Sequence, residues 1–309
     1  MESSNPTGAE RAGRDEMSGE NPIISLGELS KPATVLIEKI SNAVGGLFKP
    51  YQIIRTAKAE AEAERIRAEA HIQISDLQRR AFYRWLDEEA RKQRNIEDIT
   101  RLALPELKEE SQPEKIEDDW IANFFDKCRL ISDSEMQQLW SRLLAGEANA
   151  PGTYSRRTVN FLSSIDKPDA GLFTQLCALG WMIGEQLVPV VYDTFAGVYL
   201  RHSIGFNTLS HLASIGLIQF QNLDGFLRLW LAKITTVSYF GQSVKLTFSN
   251  DANNRMDIGK VMLTKIGEEL ARICGSQPDQ AFFNYIVGYW KQRGYIKEET
   301  QQPEAVEPA

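Results

Sequence analysis

The stretch "FNTLSHLASIGLIQF", residues 206–220, decides the fold that we predict for the C-terminal half of this 309-residue chain. Its apolar residues recur at helical spacing up to Gly216, a residue type that commonly ends helices, and a short β-rich run follows. Two further β-rich runs, "KITTVSYF" and "QSVKLTFS", are separated by Gly241-Gln242. The segment "LTKIGEEL" then joins an apolar strand to a helix. This order predicts a winged-helix-like α+β unit over 185–275.

The residues before this unit predict short helices with tight turns. Helices are expected to begin at the caps Asp119, Ser132 or Asp133, and Ser155, and a fourth is expected over 166–181. Together they predict an α-helical module over 119–184. The fold class that we expect is mainly α, with a long charged N-terminal helix, this α-helical module and the winged-helix-like α+β unit.

The long charged helix is predicted over 50–104. No proline or glycine lies between Pro50 and Pro105, and Ala, Glu and Arg dominate, which favours one helix of about 80 Å. Its apolar residues advance 19 positions in five steps, unlike the 3.5-residue repeat of a left-handed coiled coil. We therefore expect a straight helix packed in a homo-oligomeric bundle or circular array; a solvated helix joining two domains is the other interpretation. The candidate assembly residues are Ile66, Ala70, Ile74, Leu77, Ala81 and Trp85.

The remaining segments are predicted from composition and spacing. A short amphipathic helix over 31–49 should pack on the chain's own core or on a sister subunit, with membrane-surface attachment through 31–48 as the other interpretation. The composition of both ends is typical of disordered tails. The other predicted segments are the tails at 1–30 and 296–309, a linker at 105–118, and an aromatic helix at 276–295.

Composition and motifs favour a protein that is not an enzyme. The chain has three cysteines far apart, three histidines, and no nucleotide-binding, metalloprotease or nucleophile-elbow motif. We therefore predict no catalytic residue, no cofactor and no metal. The N-terminus has no apolar signal region, and no uninterrupted apolar run reaches about 18 residues, so we expect a cytoplasmic protein that attaches to membranes at most peripherally.

Charge argues against a dedicated nucleic-acid binder. The net charge is −7, and residues 151–275 contain eleven Lys or Arg and nine Asp or Glu, a balance of +2. The helix that would read DNA, within 206–216, has no Lys or Arg. An unknown protein partner is therefore favoured over nucleic acid. If nucleic acid does bind, the expected contacts are Arg156, Arg157, Lys245 and Arg255.

Several segments together resemble a bacterial family catalogued as domain of unknown function 2806. They are "SNAVGGLFKPYQIIR", "KAEAEAERIRAEA", "ARKQRNIEDI", "LWSRLLAGEANAPGTYSRRT" and "LTKIGEEL", and the likeness covers 31 to about 295. The stretch "SEMQQLWSRLLAGE" is distantly similar to abortive-infection alpha proteins, which are linked to phage defence. The resemblance implies a bacterial origin and carries no catalytic residue over to this chain.

These observations lead to one functional hypothesis and two alternatives. We expect a non-enzymatic protein that self-assembles through 31–104 and presents its other modules to a partner, in a context of phage defence. A winged-helix DNA-binding regulator is the first alternative. A peripheral membrane scaffold is the second.

Overall fold

The chain divides into a helical N-terminal part and a strand-rich C-terminal part, as seen in a computed structural model that describes residues 29–44 and 76–296. The helical part comprises α1 (Lys31–Val44), α2 (Asp76–Ala103), α3 (Asp118–Cys128), α4 (Ser134–Asn149), α5 (Arg156–Leu162) and α6 (Lys167–Cys177). The C-terminal part comprises β1 (Gly180–Ile183), β2 (Gln186–Pro189), α7 (Gly197–Leu200), α8 (Phe206–Ser214), β3 (Ile218–Phe220), β4 (Phe226–Leu231), β5 (Ile234–Tyr239), β6 (Gln242–Thr247), β7 (Asn254–Gly259), β8 (Val261–Leu263), α9 (Lys265–Ala271) and α10 (Gln280–Gln292).

Local capping explains where several helices begin. Of the two predicted caps for α4, Asp133 is the one used, because its carboxylate accepts two backbone N–H groups of the first turn. Ser155 caps α5, as predicted. The prediction for α3 is wrong: Asp119 lies inside the first turn, where its charge favours the helix N-terminus, and Glu117 occupies the cap position.

Residues 180–189 form a β-hairpin where the sequence pattern predicted the end of a helix. The helix α6 stops at Cys177, and Trp181, which was predicted to be helical, lies in β1. Gly184 adopts a φ of 68° in the turn, a conformation that is open to glycine. Trp181 and Ile183 alternate into the core and are fully buried, so burial of these side chains favours the strand.

The hairpin joins a four-stranded antiparallel sheet in the order β2-β1-β5-β6. The predicted β5–β6 hairpin is confirmed, with Tyr239 paired to Gln242 and with Phe240 and Gly241 both at positive φ, typical of a tight hairpin turn. Strand β1 pairs with β5 through Ile183 and Val237. The sheet therefore joins residues from both sides of the predicted boundary between 119–184 and 185–275.

Residues 206–220 fold through contacts with the "LTKIGEEL" segment. Gly216 has a φ of 90° at the end of α8, and β3 pairs with β8. The Thr264 side chain donates a hydrogen bond to the carbonyl of Gly216 at 2.7 Å and accepts the N–H of Gly267 at 3.1 Å. A Cβ at Gly267 would lie 2.1 Å from the Leu217 carbonyl oxygen, so glycine is required there. These contacts fix β3 against the start of α9.

One hydrophobic core extends through both parts of the chain. In the helical part, the Phe124 ring lies 5.2 Å from both Trp120 and Trp140. In the strand-rich part, the buried Trp181 ring lies 4.6 Å from Trp290 of α10, edge to face. The aromatic residues of α10 thus pack on the sheet of their own chain.

The prediction of a mainly α fold is wrong. Of the described residues, 53% are helical and 16% lie in strands that form several antiparallel sheets, so the fold is α+β. Strand β4 (226–231) was missed because its partner β7 is remote in sequence. Strands β1 and β2 pair with each other in a tight hairpin, and they were missed because the apolar run up to Trp181 was interpreted as one helix. A short apolar run does not reveal by its spacing alone whether it is helical or extended.

The amphipathic helix α1 packs into the core. Ala33, Leu36, Ile37 and Ile40 are buried, and the Lys39 ammonium lies 3.1 Å from the Asp118 carboxylate of α3. The apolar face that would have met a membrane within 31–48 is thus covered by the fold over the described part, 31–44. Membrane contact there would require α1 to leave the core.

Candidate functional site

The first three turns of α2 stand clear of the rest of the described structure. Every residue from 76 to 87 is exposed, whereas Ile96, Ile99 and Ala103 farther along the same helix are buried. At 1.5 Å per residue, the exposed part is about 18 Å long. It is therefore a helical projection from the rest of the described structure, which we call the body.

Two apolar stripes lie on the same side of α2, one towards each end. Leu77, Ala81 and Trp85 recur every four residues on the projection, and Ile96 and Ile99 fall on the same side in the core. The polar residues Glu88, Glu89 and Lys92 separate the two stripes. Leu77 is 68% exposed and Trp85 54%, whereas Ile99 is 0% exposed. Large apolar side chains clustered on an exposed surface are typical of interaction sites.

Further apolar side chains broaden this stripe on the projection. The Phe82 and Trp85 rings are stacked, with centroids 6.1 Å apart, and Tyr83 and Leu86 are also exposed. We call the residues Leu77, Ala81, Phe82, Trp85 and Leu86 the α2 face.

Half of the predicted assembly residues fall on this face. Leu77, Ala81 and Trp85 are described and exposed. Ile66, Ala70 and Ile74 lie outside the described residues.

A polar cluster fixes α2 where it enters the body. The buried Asn95 side-chain amide donates hydrogen bonds to the Arg129 carbonyl at 2.9 Å and to the Ser132 hydroxyl at 3.1 Å. Gln137 of α4 donates to the Ile131 carbonyl at 2.9 Å. Because these amides are buried and paired, the direction of the projection is set by the body.

Charge is segregated along the projection. The Arg84 guanidinium lies 3.6 Å from Glu88, and Arg80 lies 3.3 Å from Asp76. Such exposed pairs within one helix are worth only about 0.3–0.5 kcal/mol each. After Asp76, the cations Arg79, Arg80 and Arg84 come first, followed by the anions Asp87, Glu88 and Glu89 and then by Arg91.

Two buried carboxylates have a structural explanation. Glu147 accepts the backbone N–H groups of Gly152 at 2.6 Å and Tyr154 at 2.9 Å, and Glu269 of α9 accepts the N–H of Ser155 at 2.8 Å. Burial raises the pKa of Glu147, although these N–H groups act against that rise. The pair holds the loop between α4 and α5, residues 150–155 with the sequence "APGTYS". Its acceptors are occupied by the chain itself.

The described histidines pair with carboxylates that join helices. His202 lies 2.7 Å from Asp279, the cap of α10, and His211 of α8 lies 2.8 Å from Asp169 of α6. These contacts support structural roles. His71 lies outside the described residues.

Two of the three cysteines, distant in sequence, are neighbours in the fold. A hydrogen bond from the Cys177 thiol, aided by Ser276, lowers the pKa of Cys274 to about 7, whereas burial raises the pKa of Cys177 well above its usual value. Cys274 therefore has thiolate character near neutral pH. The odd number and wide spacing of the cysteines in the sequence gave no sign of this pair.

A shallow groove of about 440 Å³ lies between the β1–β2 hairpin and α9. The Arg228 guanidinium donates to the Gln186 side chain at 3.0 Å, and Gln186 donates to Glu268 at 2.8 Å. These groups satisfy one another, and the chain of hydrogen bonds ties β4 and the hairpin to α9.

The predicted nucleic-acid contacts lie on three elements. Arg156, at the start of α5, is 3.8 Å from Asp119, and Arg157 is exposed beside it. Lys245 is exposed on β6, which pairs with β5, and Arg255 is exposed on β7, which pairs with β4. Nucleic-acid binding through these residues stays a prediction.

Sequence reasoning missed a second exposed apolar surface, on β4. Leu227 and Leu229 are about half exposed, and Trp230 is 78% exposed in a bulge of the β4–β7 ribbon. Trp230 has a φ of 62°, which is strained for a bulky side chain, and such strain is found at functional positions. The alternating leucines of "FLRLWL" were the available signal.

The described ranges contain no group of three or more His, Cys, Asp or Glu side chains placed to hold a metal ion. No helix in them combines the length and the apolar character that crossing a bilayer requires.

Comparison with known proteins gives a family and no activity. The model of one family, described as "Protein of unknown function (DUF2806)", matches residues 79–287. Neither the curated proteins nor the solved structures contain a match to the chain. Since the family model covers more than half of the chain, including all of the strand-rich part up to α10, this protein belongs to the DUF2806 family of unknown function.

Proposed function

We propose that this protein is a non-enzymatic interaction protein that self-assembles through α2. The observation that carries the proposal is the α2 face, a cluster of exposed apolar side chains on a helical projection. Burial of apolar surface drives most protein association, and aromatic residues are enriched where it does.

A structural explanation for the main polar clusters supports a non-enzymatic role. Glu147 and Glu269 accept backbone N–H groups of a loop, and the chain from Arg228 through Gln186 to Glu268 joins a hairpin to a helix. In each cluster the polar groups are engaged with the protein itself, so they are not aimed at a substrate.

Partner binding by the C-terminal half is the second element of the proposal. The surface that supports it is the exposed bulge of β4 with Trp230, since tryptophan is frequent among residues that dominate binding energy. We propose phage defence as the context, on the resemblance of "SEMQQLWSRLLAGE" to abortive-infection alpha proteins, which stays an expectation from the sequence. Phage plating on cells with and without the gene would test that context.

Light scattering behind a sizing column tests the assembly. The full chain should give a multiple of 34.9 kDa that persists at high salt, because apolar contacts are not screened. The double variant Leu77→Ser/Trp85→Ser should give 34.9 kDa.

A matched control removes two exposed apolar side chains elsewhere. Leu130 is 65% exposed and Phe195 80%, and the double variant Leu130→Ser/Phe195→Ser should retain the mass of the parent chain. A monomeric parent chain, or equal loss of assembly in both double variants, would overturn the role of α2.

A further inference from the structure

We propose that the α2 face binds the same face of a second copy of the chain, with the two α2 helices antiparallel. This inference rests on the proposed self-assembly, to which it adds the partner and the direction of the contact. It follows from the order of charges and of side-chain sizes along the projection.

The order of charges fits an antiparallel pair. After the anion at 76, cations at 79, 80 and 84 precede anions at 87, 88 and 89, and a cation at 91 follows. With two antiparallel copies related by an axis between 83 and 84, position 76 lies opposite 91, 79 opposite 88 and 80 opposite 87, and each pair is of opposite sign. With two parallel copies in register, cations would lie beside cations and anions beside anions, which is unfavourable.

Side-chain size fits the same arrangement. A two-fold axis between residues 83 and 84 places Phe82 of one copy beside Trp85 of the other, so four aromatic rings meet at the centre. It also places Ala81 of one copy beside Leu86 of the other, a small residue beside a large one, as close helix packing requires. Such a contact is isologous, the commonest symmetry among homodimers.

The ion pairs within each projection do not oppose this arrangement. Arg80 and Asp76 are 71% and 79% exposed, and Arg84 is 77% exposed. These side chains are hydrated and extend from the helix, so they can reach the acidic residues of a second copy without first giving up a buried contact.

Charge exchange tests the direction. The acidic variant, Arg79→Glu/Arg80→Glu/Arg84→Glu, leaves residues 76–89 with a single sign of charge, and it should assemble at least ten-fold more weakly at low salt. The exchanged variant adds Asp87→Lys/Glu88→Lys/Glu89→Lys, reverses the order of the two charge blocks, and should assemble like the parent. All six positions are exposed or half-buried, and unchanged circular dichroism would confirm that both variants fold.

Mixing the parent and exchanged chains separates the two directions. In antiparallel pairs the parent and the exchanged chain repel each other, so co-expressed chains carrying different tags should sort into homodimers. Parallel pairs would instead favour mixed dimers, and that result would overturn the inference.

The outcomes also separate this inference from the proposed function. If Leu77→Ser/Trp85→Ser abolishes assembly while neither charge variant alters it, self-assembly through α2 stands and the antiparallel direction is wrong. If the parent chain is a monomer at all concentrations, both are wrong. Binding of the α2 face to a different protein would also appear as a monomeric parent chain.

Discussion

The two halves of α2 each carry an apolar stripe on the same side of the helix, separated by polar residues between 87 and 95, and the two stripes meet different surroundings. The stripe beyond Asn95 is packed against the body, with Ile99 completely buried, whereas Leu77 and Trp85 are more than half exposed. The spacing of apolar residues is equally regular in both halves. Periodicity therefore predicts that a helix has a face to bury, and the tertiary structure determines whether the same chain or another molecule covers it.

Hydrogen exchange should show the largest difference between the two halves of α2, in the free energy at which their amides open. Amides of residues 96–103 lie in the packed half and should open only with global unfolding, about 5–15 kcal/mol for a typical domain. Amides of 77–87 should open at a cost near zero in a dilute, monomeric sample. Mass spectrometry of exchanged peptides measures both.

Protein concentration provides the internal control for that experiment. Assembly should raise the protection of 77–87 while leaving 96–103 unchanged. Equal protection of both halves in the dilute sample would contradict the distinction between a packed and a projecting half.

The substitution Ile99→Ala tests the packed half of α2. Ile99 is 0% exposed in the core, so losing three carbons there should lower the free energy of unfolding by about 2–5 kcal/mol. Urea unfolding of the monomeric protein measures the change. A loss below about 1 kcal/mol would mean that the packed half of α2 is held more loosely than its burial indicates.

The substitution Asn95→Ala tests the point where α2 enters the body. It removes the donor to the Arg129 carbonyl and leaves buried polar groups without a partner, at a cost of about 1–3 kcal/mol. The exposed Arg94, one residue earlier, is the control, and Arg94→Ala should change the free energy of unfolding by less than about 0.5 kcal/mol. Equal effects at the two positions would show that the cluster does not anchor α2.

The sequence predicted the features that depend on neighbours in the chain. Gly216, Asp133 and the β5–β6 turn were identified because a cap or a left-handed residue acts within a few positions. Strand β4 was not identified, because its partner β7 is remote in sequence. Strand β1 was not, although it pairs with the adjacent β2, because its apolar residues continue the helical pattern of α6.

The candidate site was predicted to a similar extent. Regular spacing identified Leu77, Ala81 and Trp85 as one face, but the sequence did not reveal that α2 enters the core near Asn95. No sequence feature marks Glu147 as buried, since the N–H groups that it binds belong to a loop whose path is set by tertiary packing. Spacing carries no information about such partners.

The substitution Trp85→Ala should have the smallest effect on the fold. Trp85 is 54% exposed on the projection, so its truncation should change the unfolding free energy of the monomer by less than about 0.5 kcal/mol. Its effect should appear in the dissociation constant for assembly, measured by sedimentation equilibrium, because the ring would be buried only between copies. A large loss of monomer stability would instead show that Trp85 packs within its own chain, and the two halves of α2 would then differ only in degree.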